Sequence, residues 1–89
     1  MKMKCKCIAK LADGSEYVVY LGNTEPGIAR FAGPLILRNH FPKEFEDEAP
    51  LYVISAYEDE PEGCECIATF CDCTENGFWE DKVYVEALG

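Results

Sequence analysis

No run in this chain of 89 residues approaches the roughly 18 consecutive apolar residues that a membrane-spanning helix needs. Met1 to Cys7 alternates lysine with methionine or cysteine and has no continuous apolar core of the kind an export signal carries. The expected location is therefore the cytoplasm. Histidine is almost absent, with His40 alone between Asn39 and Phe41. A Cys–His nucleophile pair would need that one ring beside a thiol. Ser15 and Ser55 sit in no hydrolase motif, and no glycine-rich phosphate loop occurs. Carboxylates are plentiful, but acid–base chemistry also needs a pocket that positions them. The expectation is a protein that is not an enzyme.

Basic residues are missing from one long stretch, with no lysine or arginine between Glu44 and Asp81. Residues 1–43 carry seven basic groups against three acids, a net of +4, whereas residues 44–89 carry fourteen acids against Lys82, a net of −13. Together these give the formal charge of −9. Nucleic-acid binding requires a basic face that displaces counterions, so direct contact with nucleic acid is not expected. Association with an anionic membrane is disfavoured for the same reason.

What is present fits one small domain spanning residues 1–89. An apolar fraction of 48%, with five Tyr, five Phe and one Trp, is enough to build a core. Met1, Met3, Cys5, Cys7, Ala9 and Leu11 alternate with Lys2, Lys4, Lys6, Ile8 and Lys10, the period of a half-buried strand. Asp13-Gly14 then supplies a hairpin turn, and Glu16 to Leu21 reads as the return strand. Thr24 is placed to cap a short helix with Pro26 in its first turn, and Gly33-Pro34 reads as its stop. Leu35-Ile36-Leu37 reads as a short strand, and Phe41 to Pro50 as a charged connection with a helical turn over Lys43–Asp47. Three further β-like runs follow, Leu51–Tyr57, Cys64–Cys73 and Phe78–Leu88, expected as a meander of sequential hairpins. In the last of them Trp79, Val83, Val85 and Ala87 share a face. The predicted class is α+β, a small antiparallel β-sheet or partly open barrel of about five to six strands with one short helix.

Two features carry chemistry. The first is the set of three Cys-x-Cys pairs, Cys5/Cys7, Cys64/Cys66 and Cys71/Cys73. Residues two apart in a regular strand lie about 6.5–7 Å apart at Cα, whereas thiolates on one zinc ion approach to about 3.8 Å. The pairs are therefore expected to pack as small apolar side chains, with no cofactor. Zinc binding or reversible oxidation through these six cysteines is the alternative. It would be favoured if the strand of Cys5/Cys7 lay beside that of Cys64/Cys66, where facing thiols would come within disulfide or Cys₄ reach.

The second feature is the pair of acidic clusters, Glu44, Glu46, Asp47 and Glu48, then Glu58, Asp59, Glu60 and Glu62. A solvated surface is the simplest reading. Neither cluster has the ligand spacing of an EF-hand calcium loop. The leading expectation is a basic protein partner, itself one that can bind nucleic acid, met by these carboxylates in the manner of an inhibitor or adaptor. Phe45, Tyr52, Tyr57, Phe78 and Trp79 lie among the acids as apolar anchors or core residues. A homodimer is compatible with this reading. Lys2, Lys4, Lys6 and Lys10 would meet Glu80 and Glu86 if the C-terminal strand lay beside the first.

Overall fold

A computed structural model of the chain describes residues 2–46, 48–58, 65–66 and 84–88. The elements are β1 (Met3–Lys10), β2 (Glu16–Thr24), α1 (Pro26–His40), β3 (Leu51–Ala56), β4 (Glu65–Cys66) and β5 (Tyr84–Ala87). This is a small α+β fold, one helix against an open antiparallel sheet in the order β3-β1-β2-β5-β4. Four of the strands are of ordinary length and β4 has only two residues, so the described sheet is slightly smaller than expected. It has two edges, β3 and β4, and does not close into a barrel among the described residues.

The opening hairpin forms as its alternation predicts. Cys5, Cys7 and Ala9 are buried, while their neighbours in β1 are half-buried or exposed. The turn closes with Gly14 N donating to Leu11 O at 3.1 Å and Leu11 N to Ser15 O at 3.0 Å. Gly14 takes φ +94°, a value that L side chains rarely adopt. Asp13 Oδ1 accepts from Ser15 N at 2.8 Å, and that amide holds the Asp13 carboxyl below its usual range. The return strand runs three residues beyond the expected Leu21, through an irregularity where Cys5 pairs Gly22 and Lys6 pairs Tyr20.

The helix differs most from expectation. It has 15 residues, runs through Gly33-Pro34, and includes Leu35-Ile36-Leu37 as helix, not strand. Its buried residues, Ala29, Ala32, Gly33, Ile36 and Leu37, fall at i, i+3, i+4, i+7 and i+8, one continuous face. Pro34 removes the amide that would bond the Arg30 carbonyl, at a cost of about 3 kcal/mol. Burying Ile36 and Leu37 completely returns about 1.5–3 kcal/mol for each, so tertiary packing outweighs the local breaker. Thr24 is not the cap. Its hydroxyl donates to Leu21 O at 3.1 Å, and the N-cap is Glu25, whose side chain makes no capping bond. The connection after the helix does form a turn, with Glu46 N on Lys43 O at 3.4 Å.

β2 and β3 both run antiparallel to β1, so they are parallel to each other with β1 between them. Helix α1 is the crossover of this split β-α-β unit and packs on β1, β2 and β3. The Leu51–Ala56 run therefore lies on the far edge of the sheet from β4 and β5, not in a three-strand meander with them. β4 and β5 do pair antiparallel, and Val85 and Ala87 share a face as expected, opposite Val19 and Tyr17. The remainder of the Cys64–Cys73 and Phe78–Leu88 runs, including Trp79 and Val83, lies outside the described residues.

The core sits between α1 and the sheet, where Cys5, Cys7, Ala9, Val19 and Leu21 meet Ala29, Ile36 and Leu37. Gly33 lies directly on Cys7. A Cβ built at Gly33 would stand 2.4 Å from Cys7 Cβ and 2.9 Å from its Sγ. We therefore expect Gly33→Ala to lower stability by about 1–3 kcal/mol in urea unfolding. Because the nearer collision is with the Cβ, adding Cys7→Ala should fail to restore it.

Candidate functional site

The acidic turn is built on an aromatic anchor. Phe45 packs against Tyr17 with ring centroids 5.4 Å apart and edge to face, and Phe41 contacts the same tyrosine at 4.5 Å. Phe41 and Phe45 are themselves 6.4 Å apart, so three rings close one end of the helix–sheet interface. Phe45 is thus a half-buried residue that packs against the core and pins the middle of the turn. Glu44 and Glu46 flank it and are both exposed, while Glu48 is half-buried. Arg38, in the last turn of α1, lines one shallow concavity with Phe45, Glu46, Glu48, Ala49 and Pro50.

The second acidic cluster is not adjacent to the first. Glu58 follows the other end of β3, about 20 Å away at strand rise per residue. Its carbonyl accepts from Lys4 Nζ at 3.2 Å. Of the eight carboxylates expected to meet a partner, Glu44, Glu46 and Glu48 share one turn and Glu58 stands apart. Asp47, Asp59, Glu60 and Glu62 lie outside the described residues.

The thiols take positions set by packing. Cys5 and Cys7 are free cysteines with essentially no exposure, facing α1. Cys5 Sγ donates to Thr24 O at 3.4 Å. Burial pushes the Cys5 thiol up and pushes Cys7 up to about 12. Metal ligation and nucleophilic chemistry both require the thiolate, which this environment disfavours. The condition for a four-cysteine cluster is not met either. Cys66 is in β4, three strands from β1 and thus about 14 Å away at inter-strand spacing. Cys64, Cys71 and Cys73 lie outside the described residues, and among the described residues no group of three or more His, Cys, Asp or Glu is placed to hold a metal.

His40 is the last residue of α1, not part of the connection, and is exposed with its ring 6.5 Å from that of Phe41. It is at the helix end, while Cys5 and Cys7 are beneath the helix. Ser15 belongs to the hairpin turn and Ser55 pairs with Lys6 across the β1–β3 ladder.

On the sheet face away from α1, Lys10 lies opposite Glu16, and Lys6 Nζ stands 6.0 Å above the Tyr20 ring. Tyr57 Oη accepts from Gly22 N at 3.0 Å, and its ring meets Tyr20 edge to face at 5.2 Å. β5 pairs with β2 and not with β1, which places Glu86 opposite Val18; Glu80 lies outside the described residues.

One feature was not apparent from residue types alone. A groove of about 440 Å³ runs between α1 and β3, lined by Arg30, Pro34, Tyr52, Val53 and Ile54. The Tyr52 ring packs on the core and its hydroxyl is buried with no hydrogen-bond partner. The period-two phase of Tyr52 with Ile54 was the available signal, since it turns a phenol toward a core that offers it no partner. No described helix is long and apolar enough to cross a membrane.

No family model, curated protein or solved structure matches this chain.

The Cys7 thiol gives a pH signature. Its proton is held more tightly in the folded than in the unfolded chain, so the stability it contributes is complete below pH 9 and falls as pH rises toward about 12. Comparing urea stability of the native chain and Cys7→Ala from pH 8 upward should show a steeper alkaline decline in the native chain. Parallel curves would contradict the assignment.

Proposed function

We propose that the chain is a non-catalytic, cytoplasmic interaction module that binds a basic protein surface, as an inhibitor or adaptor, through its acidic second half. The observation that supports this reading is the anchored turn at Glu44–Glu48. Phe45 is fixed against Tyr17 and Phe41, so the exposed carboxylates beside it are held on a defined backbone. Pre-positioned charges lose less entropy on association than mobile ones, and they steer encounter with a basic surface. Glu58 stands at the far end of β3. A partner touching both clusters must therefore present basic groups about 20 Å apart, or engage the anchored turn alone. A protein that itself binds nucleic acid would offer such a surface. The proposal needs neither a cofactor nor a metal.

The test is capture of basic proteins by the immobilised chain at low and at high ionic strength, alongside a Glu44→Lys/Glu46→Lys variant. Retention should fall steeply with salt, and the variant should lose about tenfold or more in affinity for whatever the native chain retains. Because both residues are exposed, the variant should unfold at a similar urea concentration. Retention that ignores both salt and charge reversal would count against the reading.

A further inference from the structure

Strand β3 is an edge among the described residues, and its edge adjoins the groove beneath α1. The pattern of its backbone bonds is fixed by Tyr57 N, which donates to Lys4 O at 3.0 Å. Antiparallel ladders alternate, so residues 51, 53, 55 and 57 point their amides and carbonyls at β1. The N–H and C=O groups of Tyr52, Ile54 and Ala56 consequently point outward, away from the sheet. Leu51 and Ala56, at the two ends of β3, are exposed. An edge of this kind is a template for an added strand.

The side chains decide what that strand should carry. Residues directly opposite one another in a ladder share a face, so an incoming residue facing Tyr52 or Ile54 would point its side chain into the α1–β3 groove. Arg30 lines that groove and contributes a guanidinium, the one charged group among its described lining residues. The groove residues Arg30, Pro34, Tyr52, Val53 and Ile54 include one cation and no acid.

The geometry points to an extended peptide bearing a side-chain carboxylate as the occupant of this groove, added to β3 as a further antiparallel or parallel strand with the carboxylate at Arg30. A second copy of this chain fits less well. Pairing β3 with β3 would bring only Leu51 to Ala56, none of them acidic, to a site whose charge calls for an acid. Each copy would also bring a net charge of −9. The inference concerns a surface separate from the acidic turn and does not depend on the proposed function.

The experiment uses the full chain, ¹⁵N-labelled, and a short soluble peptide of alternating threonine and valine with one central glutamate, beside its glutamine counterpart. Amide hydrogen exchange at Tyr52, Ile54 and Ala56 should slow on addition of the glutamate peptide, while the inward amides of Val53 and Ser55 change little. The glutamine peptide should bind about tenfold more weakly, the loss of one charge-assisted hydrogen-bonded contact. Arg30→Gln, a change at an exposed residue, should abolish the preference for glutamate without unfolding the chain. Absence of protection at the three outward amides at millimolar peptide would overturn the proposal. Equal affinity for the two peptides, or protection of those amides that grows with protein concentration alone, would overturn it as well, the latter by assigning the edge to a second copy.

Discussion

The contact between Gly33 and Cys7 sets the distance between helix and sheet, and most of the structure follows from that distance. No side chain separates the two backbones there beyond the cysteine itself. The neighbouring contact residues are correspondingly small, with Ala29 and Ala32 on the helix and Cys5 and Ala9 on the strand. Larger side chains, Leu21, Ile36 and Leu37, fill the space on either side. Cysteine suits this layer because it is larger than alanine but unbranched, and it packs as a small hydrophobe. The same enclosure raises both thiols above their usual range, so close packing and a disfavoured thiolate at these two positions have one cause.

Because α1 crosses over β1, that strand becomes interior and β3 is carried to the edge. The helix covers one face of β1, which explains its two-sided character, with cysteines and alanine toward the helix and lysines on the opposite face. The crossover also separates the acidic segments. One precedes β3 and the other follows it, so the length of a strand lies between them. A charge sum over residues 44–89 overstates how concentrated the negative field is, and the geometry divides it into at least two centres.

How much of this could be read from residue order depends on the range of each signal. The hairpin was legible because alternation in Met3–Lys10 and the Asp13-Gly14 turn are local and agree with each other. The helix was not, because Gly33-Pro34 signals a stop locally while Ala29, Ala32, Gly33, Ile36 and Leu37 form a helical face across it. Gly33 has the residue type of a terminator, but its place in the fold is to admit Cys7. Leu35-Ile36-Leu37, taken alone, has no period that separates strand from helix. Strand order was illegible for another reason. β3 passes over its nearest predecessor in sequence and pairs with β1, a choice made by the helical crossover and by no residue within β3. At the site, the exposure of Glu44 and Glu46 was legible from charge, but the role of Phe45 required knowing that Tyr17 and Phe41 are brought beside it.

The position of the acidic turn also bears on why the carboxylates are there. A helix C-terminus carries partial negative charge, so cations are favoured near it and anions disfavoured. Arg38 and His40 occupy the last turn of α1 in keeping with that preference, yet Glu44, Glu46 and Glu48 follow within a few residues. Arg38 lines the same concavity as Glu46 and Glu48 and offsets part of the repulsion. Local helix stability therefore gives no reason for three carboxylates at this end of α1. Solubility alone would be served equally by acids placed near the helix N-terminus, where Glu25 stands at the N-cap and the first turn contains none. A cluster set beyond the helix C-terminus and held in place by a half-buried phenylalanine fits the proposed reading, in which a basic partner would neutralise it on binding.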